Sequence, residues 1–155
     1  MRSKNNEFWM KKALELAKQA YDQNEVPVGA LIIDDECIVG KGMNLINSTN
    51  IVTNHAEIIA INMAAQKLNN WRLLDCEIYV TLEPCLMCVG AINNCRIKRL
   101  IYGARNNNFG AINMINPKME IISGVLQLEC SKLLSNFFKK IRDEHIGHIN
   151  IPNKK

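Results

Sequence analysis

The stretch "EIYVTLEPCLMCVGAINNCRIKRLIYGA", residues 77–104, decides the class of the fold. Its first part, "EIYVTL" at 77–82, is strand-forming by its β-branched and aromatic content. Pro84 then suits the first position of a helix, where the amide proton it lacks is not needed. That helix is predicted to run to about Cys95, and "RLIYGA" at 99–104 is strand-like again. Strand, helix and strand in close succession form a βαβ crossover, which lays the two strands side by side and parallel in an α/β fold.

The flanking sequence extends this unit. Residues 6–23 carry Trp9, Ala13, Leu16, Ala17 and Ala20 at helical spacing, which predicts an amphipathic helix ended by "VPVG". "GALIID" and "CIVGKG", joined through Asp34 and Asp35, read as a hairpin. The polar stretch "MNLINSTNIVTN" leads into a helix from about His55 to Lys67, with Ile58, Ile61, Met63 and Ala65 predicted to be buried. After residue 104 an Asn-rich loop, "RNNNFGAINMINPK", precedes a short strand, "EIISGV", and a last helix from about Gln127 to Glu144. There is no repeat, low-complexity tract or linker, so residues 1–155 read as one domain.

Composition narrows the function classes. The apolar fraction is 48%, sufficient for a real core, but charges interrupt every run that would serve as a signal peptide or membrane span. A cytoplasmic protein is expected, and its six cysteines read as reduced, metal-binding or catalytic rather than as a disulfide framework. Net charge is +4, and from Pro84 to Met119 there is no Asp or Glu, while Arg96, Lys98, Arg99, Arg105 and Lys118 fall inside. This predicts a basic approach for a polyanion, extended by Lys139, Lys140 and Arg142 in the last helix.

Two helix starts carry the chemistry. Cys85 and Cys88 are three apart, so their sulfurs share one face of a first helical turn, where the helix dipole favours thiolates. His55 and Glu57 are two apart, a rotation of roughly 200° in a helix. They share a site only if His55 stands at or just before the helix start, a position that the neighbouring Asn54, a favoured capping residue, makes reasonable. Zinc suits two thiolates and an imidazole, and three protein ligands leave a fourth position for water. A structural zinc needs a fourth ligand, and Cys37, Cys76, Cys95, Cys130, His145 and His148 show no paired spacing with this claw. A thioredoxin-like CxxC needs no upstream HxE. A purely structural reading fits each residue singly but not the combination.

H-x-E followed by P-C-x-x-C is the signature of zinc nucleobase deaminases, in which the Glu moves protons and does not ligate the metal. More widely, the chain closely resembles the bacterial tRNA wobble-adenosine deaminases in "WMKKALELAKQA", "EVPVGALI", "GMN", "HAEIIAI", "YVTLEPCLMCVGAI", "RIKRLIYGAR" and "GVLQLECSKLLSNFF", which together span nearly its whole length. The resemblance implies a three-layer α/β/α cytidine-deaminase-like fold with a central mixed sheet, acting as a homodimer. It implies one Zn2+ per chain on His55, Cys85 and Cys88, with Glu57 as the catalytic proton shuttle and Asn44 and Val26 as substrate-binding residues. The implied reaction is hydrolytic deamination of adenosine to inosine at the wobble position of a tRNA anticodon stem-loop, with no membrane partner. Phe137 and Phe138 correspond to an aromatic pair near the anticodon loop, with burial in the core as the alternative.

The chain departs from the family pattern in three places. Ile51, Val52 and Thr53 replace "DPT", Asn106 follows "GAR" where Asp is common, and the segment between "GAR" and "EIISG" is several residues shorter, which predicts fewer contacts to RNA. Two other functions stay open at this level. One is deamination of a free base or nucleotide of the guanine or cytosine type. The other is an inactive RNA-binding partner subunit, which would lack the catalytic glutamate that Glu57 supplies.

Overall fold

The computed structural model describes residues 5–149, and side chains up to His145. His148, named above among the candidate ligands, lies outside the described side chains. The chain forms helix α1 (Asn6–Asp22), strands β1 (Gly29–Asp34) and β2 (Cys37–Met43), a single-turn helix α2 (Ile46–Thr49), helix α3 (Ala56–Leu68), β3 (Glu77–Leu82), α4 (Leu86–Asn94), β4 (Arg99–Ala104), β5 (Glu120–Ile122) and the long α5 (Gln127–Ile149). Five strands make one mixed sheet in the order β2-β1-β3-β4-β5. β1 is antiparallel to β2 and β3, while β3, β4 and β5 run parallel, as the 77–104 crossover requires.

Alternation along the strands builds three layers. Successive side chains point to opposite faces of a sheet. Ala30, Ile32, Ile78, Val80 and Leu100 therefore join Ala56, Ala60 and Ile61 of α3 and Val89 and Ile92 of α4 on one face. Leu31, Ile33, Tyr79 and Ile101 join Trp9, Met10 and Ala13 of α1 and Cys130 of α5 on the other. Because both faces are covered, these strands read as nearly continuous apolar runs. The arrangement is the α/β/α fold expected from the sequence.

The contact between α3 and β2 is made by backbone. A Cβ added at Gly40 would lie 2.2 Å from the Ala60 carbonyl oxygen, and one at Gly42 would lie 2.3 Å from that of Ala56. This glycine floor selects small residues above it, so the buried face of α3 is Ala56, Glu57, Ala60, Ile61 and Ala64. The expectation for Ile61 holds. Ile58 and Ala65 are only partly buried and Met63 is exposed, because the helix is turned to place alanines on glycines. Gly42→Ala is expected to push α3 off the sheet and cost about 1–3 kcal/mol, the usual range for overpacking. Chemical denaturation measures this, and an unchanged midpoint would contradict the close contact.

Three further details differ from the sequence reading. Pro84 lies one residue before the N-cap of α4 and not in its first turn. The chain stays extended there because Ala111 N–H donates to the Pro84 carbonyl at 3.0 Å and Cys85 bridges Gly110. Within "MNLINSTNIVTN" lies the helical turn α2, and a 3-10 turn, Ile112–Met114, lies within the Asn-rich loop. The last helix also continues past Glu144 to Ile149.

Candidate active site

The site lies where α3 and α4 begin, at the carboxyl ends of β3 and β4. His55 is the N-cap of α3, with extended backbone at φ −74° and ψ 152°. The chain has not yet turned helical at His55 but has done so at Glu57, which is how two residues that a helix would set on opposite sides reach one cleft. His55 caps nothing with its own side chain. Instead Asn44, twelve residues earlier, accepts a hydrogen bond on Oδ1 from the Ala56 N–H at 2.9 Å. This cap supplied from a loop frees the imidazole. Asn54, the cap expected from sequence, instead donates from Nδ2 to Thr49 Oγ1 at 2.9 Å.

Cys85 is likewise the N-cap of α4, and Cys88 follows in its first turn. Both sulfurs lie 3.6 Å from His55 Nδ1, and the three donor atoms all fall within 4.8 Å of one another. A tetrahedral zinc with Zn–S of about 2.3 Å and Zn–N of about 2.0–2.1 Å separates sulfur from nitrogen by about 3.6 Å. The donor types and spacings therefore fit zinc. Among the described residues, no other group of His, Cys, Asp or Glu has metal-binding spacing.

The electrostatics agree with this donor set. Hydrogen bonds from Cys88 and His55 hold the Cys85 thiol down to about 3. The bond with Cys85 in turn raises His55. Cys88 moves the other way, because its thiol proton is shared with the Cys85 sulfur and the group is buried. Glu57 is 4% exposed, and burial pushes its carboxyl above the usual carboxylate range. It is a buried acid beside the donor trio and outside it.

The remaining cysteines behave differently. Burial pushes Cys76 and Cys95 up to about 11 and Cys130 up to about 12, whereas Cys37 is exposed. Iodoacetamide at about pH 8 is expected to modify Cys37 in the folded protein and to spare Cys76, Cys95 and Cys130, since the thiolate is the reactive form. Peptide mass mapping reads this out. Labelling of Cys95 as fast as Cys37 would contradict the burial argument.

A cleft of about 710 Å³ opens over this centre. Asn44, His55, Glu57 and Cys85 line it together with apolar Val26, Val28, Ile46 and Leu82. One wall is Arg105 to Phe109, and the other is a face of α5 with Ser131, Leu134, Ser135 and Phe138. The aromatic pair splits. Phe137 is buried against Tyr21, while Phe138 is 45% exposed at the cleft. Adjacent helical residues point about 100° apart, so one of the pair had to turn inward. Asn106 accepts on Oδ1 from the Phe109 N–H at 3.1 Å, so the amide closes the turn here without a carboxylate. Sequence reasoning missed Glu83, Ser131 and Ser135 in the lining. The two serines are readable only as the helical neighbours of Leu134 and Phe138.

The basic approach predicted from the acid-free stretch needs correction. Of its cations only Arg105 lines the cleft. Arg99 pairs with Glu77 at 2.8 Å, and with Lys98 it borders a small pocket that also contains Asp35, Glu36 and Asp75. Arg96 lies over the exposed Trp71 ring. Arg99 opens β4 and Arg105 follows its end, which at about 3.3 Å per residue puts them roughly 20 Å apart. In α5, Lys140 is engaged by Asn24 and the Tyr21 ring.

Comparison with known proteins returns deaminases, among them a solved guanine deaminase of Bacillus subtilis that aligns with a TM-score of 0.65 and 35% identity, over 69% of this chain and 72% of that one. Residues 4–142 match the MafB19-like deaminase family. A tRNA-specific adenosine deaminase of Haemophilus influenzae is 47% identical over 154 residues, covering 93% of this chain and 89% of the relative. That of Buchnera aphidicola subsp. Schizaphis graminum is 45% identical over 150 residues, covering 92% of this chain and 99% of the relative. A solved structure from work on A-to-I editing by tRNA:A34 deaminases at the wobble position of transfer RNA aligns with a TM-score of 0.78 and 36% identity, over 82% of this chain and 99% of that one.

Proposed function

The chain belongs to the MafB19-like deaminases and to one family with the tRNA-specific adenosine deaminases, and from that premise we propose that it converts adenosine to inosine at the wobble position of a tRNA anticodon. The observation that carries the chemistry is the meeting of His55, Cys85 and Cys88 with the buried Glu57 carboxyl in one cleft. In this reading residues 1–155 act as one deaminase domain.

His55, Cys85 and Cys88 would hold one zinc ion. When bound, such an ion lowers the pKa of a water molecule toward neutrality and so supplies a nucleophile. Glu57 takes a proton from the attacking water and delivers it to the purine ring nitrogen beside the reacting carbon. The same carboxyl then moves a proton to the departing amine, so that adenosine and water become inosine and ammonia. Asn44, its Oδ1 engaged by Ala56, has its Nδ2 available to donate to the nucleoside. Val26 contributes an apolar wall for the base. The anticodon loop is already unpaired, so extruding its base into the cleft costs little, and Phe138 offers a surface on which a neighbouring base stacks.

With Arg105 as the cleft's cation and Lys139 and Arg142 on the exposed face of α5, few phosphates are contacted. The log of stem-loop affinity should fall with the log of salt at a shallow slope, between about −0.7 and −2 for one to three phosphates on single-stranded RNA. A salt-independent affinity, with guanine or cytosine turned over instead, would support the free-base reading.

The homodimer is part of the same proposal. Val52 (74% exposed) and Leu86 (64%), with Ile51 and Met87, expose apolar side chains in the segments just before His55 and around the cysteines. Burying them against a second copy removes apolar surface from water. Sedimentation at micromolar concentration is expected to give a dimer, and Leu86→Glu with Val52→Glu to give monomer. A stable wild-type monomer would overturn this part. Action on tRNA in the cytoplasm belongs to the same proposal; among the described residues no helix is long and apolar enough to cross a membrane.

A further inference from the structure

Five polar or charged side chains are buried among the described residues, namely Glu25, Asn44, Glu57, Thr81 and Glu83. The chemistry above gives Glu25 no part, yet it is 1% exposed and no lysine, arginine or histidine pairs with it among the described residues. Its carboxylate instead receives three hydrogen bonds from one short segment. Oε1 accepts from the Ser48 N–H at 2.7 Å and from the Ser48 hydroxyl at 3.2 Å, and Oε2 accepts from the Asn47 N–H at 3.2 Å. A buried carboxylate without such donors is costly, so the segment and the acid hold each other.

That segment is the middle of a strap joining β2 to α3. The strap begins at Asn44, whose N–H donates to the Val28 carbonyl and whose side chain caps Ala56. It is tied across its base by the Leu45 N–H donating to the Asn54 carbonyl at 3.0 Å, and it ends at His55. Ile46, next to the clamped residues, lines the cleft, as does Val26, which directly follows Glu25. The carboxylate therefore fastens the two apolar positions of one cleft wall to each other, and it does so between Asn44 and His55 in the chain.

We infer that Glu25 is a positioning residue, which clamps the 44–55 strap so that Val26, Ile46 and Asn44 keep the spacing that receives the nucleoside. The inference rests on the adenosine reading for its functional half. Its mechanical half stands without it. Glu25→Gln keeps the size but offers one acceptor oxygen and turns an amide group toward the remaining donor.

The test has two arms. Hydrogen exchange on the metal-loaded protein without RNA is expected to speed up at Asn47 and Ser48 and also at Ala56, whose cap the strap carries. In steady-state assays with an anticodon stem-loop, KM is expected to rise about tenfold, the effect of losing one charged hydrogen bond, with kcat changed less than about threefold. Zinc is expected to stay at one per chain. Glu25→Asp, which reaches fewer donors, should shift both readouts in the same direction, and Ser48→Ala, which removes only the hydroxyl bond, should stay near wild type. Exchange at Ala56 unchanged while Asn47 and Ser48 accelerate would overturn the clamp. So would activity falling only in proportion to lost zinc or lost folded protein. If wild-type protein does not deaminate the stem-loop, the tRNA reading fails on its own, and the exchange arm still decides the clamp.

Discussion

Glu57→Gln is expected to keep the fold and a full complement of zinc while losing at least about 10²-fold in kcat, the usual size of a general acid–base contribution. The argument starts from burial. The carboxyl is 4% exposed beside the His55, Cys85 and Cys88 donors but outside that trio, and burial raises its pKa. A carboxyl accepts a proton and returns it, which the amide of glutamine does not. The sign of the pH effect follows. The wild-type rate should fall as pH drops through that raised pKa, since the protonated acid no longer accepts a proton, and the Gln variant should lack this acid limb. A variant within a few-fold of wild type would remove Glu57 from the chemistry.

The second large effect concerns the metal. Cys88→Ala should abolish stoichiometric zinc and activity together, because Cys88 is fully buried and two of the three proposed ligands then remain. The apo protein should also unfold at lower temperature. A ligand that binds only the folded state stabilises it by about 2.7 kcal/mol at a hundredfold excess over its Kd. Chelation of the wild type should reproduce the loss, and added zinc should reverse it for the wild type but not for the variant. The pH dependence has a definite direction here too, since metal must displace protons from the ligands and binding weakens in acid. Full zinc occupancy in Cys88→Ala, by metal analysis, would sink the three-ligand assignment.

What the sequence made legible was what depends on short-range pattern. The βαβ unit over 77–104 could be read because its strands are buried on both faces and its helix begins and ends on recognisable residues. The donor trio was readable from the three-residue cysteine spacing and the HxE pair. Other features depend on contacts distant in the chain. The buried face of α3 is set by Gly40 and Gly42 of another element, which no helical period reports. The cap that frees His55 comes from Asn44 across a loop, where local reasoning pointed to Asn54. The acid-free run was real as composition but not as a surface, because a strand separates Arg99 from Arg105 and sends them to opposite ends of the sheet. Phe137 and Phe138 look alike in sequence and differ only in the angle at which each leaves α5.

The central claim is that the cleft deaminates an adenosine presented on an RNA loop. Inosine and ammonia should be quantified together for a tRNA anticodon stem-loop carrying adenosine at the wobble position, with free adenosine, guanine and cytidine in parallel reactions. The expected result is inosine and ammonia in equal amounts from the stem-loop, abolished by Glu57→Gln and by zinc removal, with little turnover of the free compounds. Guanine, cytidine or free adenosine converted as fast as the stem-loop, or a stem-loop left unchanged by the zinc-loaded protein, would contradict it.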